Sequence, residues 1–374
     1  MSATAPRIIL TTGGTGGHVF PALAVAEEIK RLYPAAKILF MGGQYGKEAV
    51  WANKAGLEFV GLPVRGMIGR GFKAVAAAGN MVSAVFQAVK VVREFKPDVV
   101  AGFCGYAAFA GVMAGVICRR PALIHEQNAV PGAANKILGK LVNSVCISMP
   151  ESAAYFAKGK ITATGNPVRA GIVTSDQGRD YARQTRRLLV VGGSQGARAL
   201  NEAVIKALPA LKAAGVEIRH QTGELDSDMV RTAYAAAGLA EPLARVEPFI
   251  VDMAEAYAWS DLGLMRSGAS SVAELAVAGL PAVLIPFPFA THNHQVHNAR
   301  FLSEAGAAIL VEQKDLGNMN LGERIIALID DAEKLRQMSA AALSLGQPQA
   351  AGLVLAAMRE ISPGPHWEGQ GIAD

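Results

Sequence analysis

The feature that most constrains this chain is a glycine-rich turn set between an apolar run and a helical run near the N-terminus. Residues 7–26 read RIILTTGGTGGHVFPALAVA. Ile8, Ile9 and Leu10 form a short apolar run, as a buried parallel strand requires. Gly13, Gly14, Gly16 and Gly17 bracket Thr15, and His18 follows. Val19, Leu23, Ala26 and Ile29 then recur at helical spacing, with Glu27, Glu28, Lys30 and Arg31 towards the end. Strand, glycine turn and helix direct backbone N–H groups and a helix N-terminus at an anion. The glycines let that backbone approach closely, because no Cβ intervenes. A tight turn without a ligand reads the same locally, but the pattern recurs. Leu188–Val191 reads as a strand, Gly192–Arg198 as a second glycine turn with Ser194 in it, and Leu200–Leu211 as a helix.

Neither turn is one of the common nucleotide loops. A dinucleotide fingerprint needs G-x-G-x-x-G and an acid after the second strand. Here position 19 is Val, and the strand Ile38–Met41 runs into Gly42-Gly43-Gln44. A Walker loop needs Gly-Lys-Ser/Thr, whereas this turn ends Gly17-His18-Val19. Hydride transfer and ATP hydrolysis both lose ground.

The chain has 374 residues, room for two domains of ordinary size. With 51% hydrophobic and 18% charged residues it is expected to bury a large core. A net charge of +5 suits phosphate ligands or an anionic membrane and is too diffuse to argue nucleic acid. Cys104, Cys118 and Cys146 lie in apolar runs without metal or disulfide spacing, so they read as buried thiols of a reducing compartment. The first residues lack a signal-peptide pattern. Val99–Cys118 carries no charge over about twenty residues, yet it breaks into VVAGF, CGY and a small-residue helix. It is expected to be a strand and a helix of a soluble chain.

The first half alternates regularly. Strands are expected at Lys37–Met41, Leu57–Leu62, Asp98–Phe103, Ala122–His125, Ser144–Ser148 and Lys160–Thr164. Helices are expected near Lys47–Ala55, Ala74–Phe95, Ala107–Cys118 and Ala133–Leu141. Such alternation implies a parallel sheet covered on both faces, with ligands outside the C-terminal strand ends. That rule groups Gly13–His18, Gly102–Tyr106 and His125–Asn128. A polar stretch, Thr174–Gln184, follows Gly165-Asn166-Pro167-Val168-Arg169 and suggests a boundary. Later strands are expected at Glu217–His220, Arg245–Phe249, Leu262–Met265, Ala282–Pro286 and Ala308–Val311. Helices at Leu321–Ile329, Asp331–Leu345 and Ala350–Ile361 precede a tail, Ser362–Asp374, that looks frayed. Two α/β domains facing across a cleft are the economical picture.

In the second half, Gly192–Gly196 offers N–H groups and the Ser194 hydroxyl to a phosphate. Arg266–Ser271 precedes a helix, with Ser270 as a plausible cap. Glu274 either complements that helix dipole or accepts from ribose hydroxyls. Pro286–Gln295 reads as a polar loop after a strand, where binding groups commonly sit. His18, at a helix start, is expected to favour its neutral form and so to accept a proton from an attacking hydroxyl; bonding to nearby backbone is the bland alternative. His125 and Glu126 point to opposite faces of a strand. No His/Cys/Asp cluster has metal spacing. The segment Arg65–Lys96 carries Phe72, Val75, Met81, Val82, Val85, Phe86, Val89 and Val92 beside Arg65, Arg70, Lys73, Lys90, Arg93 and Lys96. It reads as a surface for an anionic bilayer or as a core helix with a basic face.

GGTGGHVFPALAVA, HEQNAVPGAANK, GNPVR, VVGGSQGARALN and MRSGASSVAELAVAGLPAVLIPFPFATHNHQ, in this order from about Arg7 to Glu312, together resemble one family. It is the MurG family of bacterial transferases, which move N-acetylglucosamine from UDP-GlcNAc to undecaprenyl-pyrophosphoryl-MurNAc-pentapeptide. The resemblance implies the GT-B fold: residues 1–168 as an acceptor- and membrane-side Rossmann-like domain, 169–345 as a donor-side one, and 346–374 returning to the first. It implies inverting transfer to the C4 hydroxyl of lipid I, giving lipid II, with no metal and no cofactor. By motif, His18 matches the proposed base, and Thr15, Gly16 and Gly17 the first glycine turn. Asn128 matches a donor-sugar contact, and Arg169 and Ser194 match diphosphate contacts. Ile250 matches a backbone clamp on uracil. Ala269, Ser270, Ser271, Val272, Ala273 and Glu274 match the helix start under the phosphates, with Glu274 on the ribose. Gln295 matches a contact to sugar hydroxyls, and Tyr106 and Asn135 the acceptor side. Implied catalytic residues are thus His18, Glu274 and Asn128. Implied partners are UDP-GlcNAc, lipid I, an anionic membrane through Arg65–Lys96 and cell-wall synthesis proteins, at the cytoplasmic face of the inner membrane. Cys104 stands where the family often has Gly, and His294 where some members have Gln. A diacylglycerol glycolipid synthase, a UDP-GlcNAc 2-epimerase and a non-catalytic sugar-nucleotide-binding scaffold are the rival readings.

Overall fold

The structure is a computed structural model that describes residues 5–14, 16–64, 73–173, 179–181, 185–193 and 196–368, without the side chains of residues 73–78 and 292. Thr15, Ser194, Arg65, Arg70 and Phe72 therefore lie outside the described residues, as do the side chains of Lys73 and Val75. The chain divides into two units, residues 1–169 with 348–374, and residues 170–347.

The first unit is built from β1 (Arg7–Thr12), α1 (Gly16–Leu32), β2 (Lys37–Gly43), α2 (Glu48–Lys54), β3 (Glu58–Leu62), α3 (Lys73–Phe95), β4 (Val99–Phe103), α4 (Gly105–Ile117), β5 (Ala122–Glu126), α5 (Ala133–Leu141), β6 (Ser144–Ile147) and β7 (Ile161–Ala163). Its seven strands run parallel in the order β3-β2-β1-β4-β5-β6-β7. In β1 the pleat sends Ile8 and Leu10 into one apolar cluster, with α1, and Ile9 into another, with α3, α4 and α5. Both faces are covered, which is why the strands read as continuous apolar runs. The uncharged stretch Val99–Cys118 is β4, a turn and α4, so it forms no single spanning helix.

The second unit opens with α6 (Ala170–Val173) and continues through β8 (Arg186–Val191), α7 (Arg198–Ala213), β9 (Val216–Gln221), α8 (Ser227–Ala236), β10 (Ala244–Glu247), α9 (Met253–Trp259), β11 (Leu262–Met265), α10 (Ala269–Ala278), β12 (Ala282–Leu284), α11 (His294–Ser303), β13 (Ala308–Leu310), α12 (Leu321–Asp330) and α13 (Ala332–Leu345). Its six parallel strands run β10-β9-β8-β11-β12-β13. Each sheet thus reverses its strand order beside its first strand, between β1 and β4 and between β8 and β11. Crevices at such switch points are where doubly wound sheets bind ligands.

Helix α14 (Ala350–Ile361) belongs to the first unit and packs on α1. Among the described residues one stretch, Ala332–Ile361, is long and apolar enough to cross a membrane by length and composition. It consists of α13 and α14, assigned to different units. The expectation of a frayed tail fails over its first residues. Ser362 donates to the Asp98 carbonyl (3.0 Å), and Trp367 is buried with its ring 5.3 Å from Tyr33. Proline starts a short 3-10 turn at Pro365–Trp367, and its one indole buries enough area to fasten the segment.

Candidate active site

At the first switch point the turns after β1 and β4 meet through backbone. The Gly13 N–H donates to the Cys104 carbonyl (3.2 Å), and a Cβ on Gly105 would lie 2.2 Å from the Gly13 oxygen. Gly105 has φ +90°, so both its conformation and its neighbours require glycine. The turn after β1 departs from a simple anion cradle. Its Gly14 N–H donates to Glu48 Oε1 (3.0 Å), and the Glu48 carboxylate is buried beneath it. His18, in the first turn of α1, places Nδ1 2.9 Å from the Gly13 carbonyl. That carbonyl only accepts, so Nδ1 carries the proton and Nε2 is the basic nitrogen of the neutral ring. The backbone bond expected of a bland histidine is present, and it is also the bond that orients a base.

Cys104 has φ +56° and ψ 165°, a region that disfavours side chains. Its buried thiol donates to the His125 carbonyl (3.4 Å) and accepts from Asn135 Nδ2 (3.4 Å). Burial holds this thiol protonated, well above its ordinary range. Asn135 is itself buried, and its amide donates at 2.8 Å to Glu126 Oε2. Asn128 donates to Glu126 Oε1 through both backbone (2.9 Å) and side chain (3.3 Å). Burial raises the Glu126 carboxyl above its usual range, and these bonds work in the other direction. His125 points the opposite way: its Nε2 meets the Gly165 carbonyl (2.9 Å), and burial lowers its pKa to about 4. Tyr106 is half-buried at the start of α4. The Arg169 guanidinium lies 4.5 Å above the Phe20 ring, two residues beyond His18.

At the second switch point Gly193 and Gly196 both have positive φ, +87° and +76°. A Cβ on Gly196 would lie 2.9 Å from the Thr222 carbonyl, so the turn after β8 rests on the loop after β9. A buried chain of polar groups fixes that loop. Tyr234 Oη lies 3.0 Å from His220 Nδ1, and His220 Nε2 lies 3.0 Å from Asn201 Oδ1. Asn201 Nδ2 donates to the Thr222 carbonyl (3.1 Å) and Asp226 Oδ2 (3.0 Å). Burial lowers the His220 pKa to about 3, so the link is neutral imidazole.

Helix α10 starts at Ala269 with Gly268 as its N-cap, so Ser270 is inside the helix and not its cap. The first turn has no side-chain cap and no acid, which leaves a helix start suited to an anion. Ser270, Ser271 and Ala273 are half-exposed, while Ala269 and Val272 are buried. Glu274 lies beyond the first turn, where the dipole has faded, and accepts at 3.0 Å from the Tyr257 hydroxyl. The dipole reading of Glu274 therefore fails. The Ile250 N–H is engaged by Gln221 Oε1 (2.9 Å). Gln295 is not in a loop: it is the second residue of α11. Its Oε1 accepts from the Phe287 N–H (2.9 Å) and its carbonyl from Ser267 Oγ (2.7 Å). His294 Nδ1 meets the Thr291 carbonyl at 2.8 Å.

Sequence reasoning missed Glu48, the Asn201–His220 pair and Arg266 as an electrostatic element. Arg266 is held by the carbonyls of Ile285 (3.0 Å) and Pro286 (3.1 Å) and by Gln313 Oε1 (2.7 Å). Burial lowers its pKa to about 10, so it remains a cation beside the α10 start. Its signal in the sequence was a lone arginine ending an apolar strand.

Residues 8–147 match the Glycosyltransferase family 28 N-terminal domain, and residues 187–354 its C-terminal domain. A protein of Nitratidesulfovibrio vulgaris (strain DSM 19637 / Miyazaki F) is 56% identical over 96% of this chain and 98% of its own. It is named UDP-N-acetylglucosamine--N-acetylmuramyl-(pentapeptide) pyrophosphoryl-undecaprenol N-acetylglucosamine transferase. The crystal structure of Acinetobacter baumannii MurG is similar with a TM-score of 0.72 at 32% identity, covering 95% of this chain and 99% of that one. UDP-GlcNAc 2-epimerase from Neisseria meningitidis shares the fold alone, with a TM-score of 0.67 at 14% identity over 95% of this chain and all of the other. With both domains matched in order and more than half of its residues shared with such a relative, this chain belongs to glycosyltransferase family 28.

Proposed function

We propose that this chain is an inverting N-acetylglucosaminyltransferase that converts lipid I to lipid II in peptidoglycan synthesis, and so serves cell-wall biogenesis, cell shape and division. The observation that carries this reading is the 56% identity, over nearly the whole of both chains, with a relative of that name. The C4 hydroxyl of the muramyl sugar attacks the anomeric carbon of UDP-GlcNAc. The new C–O bond forms as the bond to the diphosphate breaks, the electron pair leaves with UDP, and the hydroxyl proton passes to His18 Nε2. The His18–Gly13 contact supports that assignment by fixing the tautomer. Charge develops on the leaving diphosphate, and the absence of a side-chain cap at the α10 start (Ala269 to Ala273) and the Arg266 cation support a stabilising role for them. Ser194, Thr15, Gly16, Gly17 and Arg169 join it by motif, Glu274 takes the ribose, Ile250 the uracil, and Asn128 and Gln295 the sugar. Tyr106 serves the acceptor side. Asn135, being buried against Glu126, serves it by holding the turn.

The acceptor is a lipid, and α3 supplies a surface for its membrane. Ala84, Ala88 and Val92 form its buried stripe, while Val82 and Phe86 are 57% and 72% exposed. Lys90, Arg93 and Lys96 are exposed further along the segment, with Glu94 3.9 Å from Lys90. A core helix would bury its phenylalanine; this arrangement suits adhesion to an anionic leaflet, with the enzyme peripheral on the cytoplasmic face. The test of the activity is transfer of labelled GlcNAc from UDP-GlcNAc to a lipid I analogue beside an acceptor-free control. Labelled disaccharide-lipid formed only with acceptor is expected. Sugar conversion without acceptor would point to an epimerase, and donor binding without turnover to a scaffold.

A further inference from the structure

Glu48 is the first residue of α2 and is 2% exposed. The chain makes room for it with glycines. A Cβ on Gly43 would lie 3.1 Å from Oε1, and one on Gly46 only 1.8 Å from Oε2. A Cβ on Gly42 would lie 2.9 Å from the Glu48 Cβ. Burying a carboxylate is costly, and such a group is kept where it holds something. What Glu48 holds is one particular peptide bond. Gly14 N–H, which donates to Oε1, and Gly13 C=O, which accepts from His18 Nδ1, are the two ends of the same peptide unit.

We propose that Glu48 is a positioning residue that acts on His18 through the Gly13–Gly14 peptide, fixing the Nδ1–H tautomer and strengthening Nε2 as a proton acceptor. A carboxylate on the N–H end of an amide draws its proton and places more negative charge on the oxygen, so hydrogen bonds in series reinforce one another. The oxygen then holds the Nδ1 proton more firmly and favours the imidazolium formed when Nε2 accepts a proton. A buried aspartate does this by direct contact in hydrolase triads; here one peptide bond stands between acid and imidazole. The elements packed against α1 are β1, α2, β4 and α14. Their other ionisable groups are Arg7, Lys54, Arg359 and Glu360, and the Arg169 guanidinium lies over Phe20 of α1 itself. Of these, Glu48 hydrogen-bonds to the turn.

This inference rests on His18 being the base, and the experiment separates the two. Imidazole nitrogen NMR on the whole protein, with His18 assigned by loss of its signals in His18→Ala, reads the tautomer without any substitution at Glu48. Protonated Nδ1 is expected in the neutral ring; protonated Nε2 would overturn the proposal. In Glu48→Gln, which keeps an acceptor for Gly14 but removes the charge, the His18 pKa is expected to fall by about half a unit. The acid limb of the kcat profile should move down in pH by the same amount, with the plateau kcat lowered about two- to threefold and the KM for UDP-GlcNAc unchanged within about twofold. An unchanged His18 titration in Glu48→Gln, or a loss confined to KM and thermal midpoint, would also overturn it. Near-normal turnover of His18→Ala would remove His18 as the base while leaving the measured Glu48–His18 coupling in place.

Discussion

His125 and His220 show what burial does to a titratable side chain. Desolvation lowers both, to about 4 and about 3, against an ordinary value near 6.5. Between those values and 6.5 the unfolded chain binds a proton that the folded chain refuses. Stability is therefore complete above about pH 6.5 and is lost as pH falls towards the folded values, by about 1.4 kcal/mol per pH unit for each histidine. Glu126 opposes this at the acid end, because its raised pKa lets the folded state take up a proton first. Urea unfolding at pH 7.5, 6.5 and 5.5 is predicted to show a flat upper interval and a clear fall in the lower one. The cysteines give a second prediction at this scale. Cys104 and Cys146 are buried, and burial raises both thiols, Cys146 to about 12, whereas Cys118 is partly exposed. A thiol reagent is expected to modify Cys118 alone in the folded protein and all three after unfolding. Apolar runs signalled the buried thiols of Cys104 and Cys146, but the same reading fails for Cys118, which ends its helix partly exposed. The left-handed backbone of Cys104 was not legible, because only its neighbour Gly105 announces a turn.

Elements were legible wherever periodicity and length agreed. Residues 133–141, 262–265 and 350–361 form the elements that their patterns imply, and most others differ by one to three residues at an end. The failures have local causes. Helix α11 begins within HNHQVHNARF, whose polar residues mask a start set by Asn293 at φ +52°. Ser270 looked like a cap, but the extended Gly268 takes the position. Two element-scale predictions follow from contacts between turns and on α3. Gly105→Ala forces a Cβ onto the Gly13 carbonyl at positive φ and is predicted to cost about 3 kcal/mol or more, read by urea unfolding. Phe86→Asp removes an exposed ring, so stability should stay within about 0.5 kcal/mol. Its affinity for vesicles rich in anionic lipid should nevertheless fall about tenfold or more. Unchanged vesicle binding would return α3 to the status of an ordinary surface helix.

At the scale of the molecule, two sheets share one order over six strands, and each places a glycine turn at its own switch point. The repeat of strand, glycine turn and helix made this visible in the sequence. What pattern could not reach was the long-range wiring beneath the turns. Glu48 meets Gly14 across 34 positions, and Asn201 meets His220 across 19. Such pairs become neighbours only when strands from separate segments are laid side by side, and no periodicity encodes them. The central claim is single-displacement transfer between an α-linked sugar nucleotide and a lipid-linked acceptor. The most direct measurement is the anomeric configuration of the product formed from carbon-13-labelled UDP-GlcNAc and a lipid I analogue, read from the one-bond C1–H1 coupling. A β-linked disaccharide is predicted, whereas an α-linked product, or none with both substrates bound, would contradict the account.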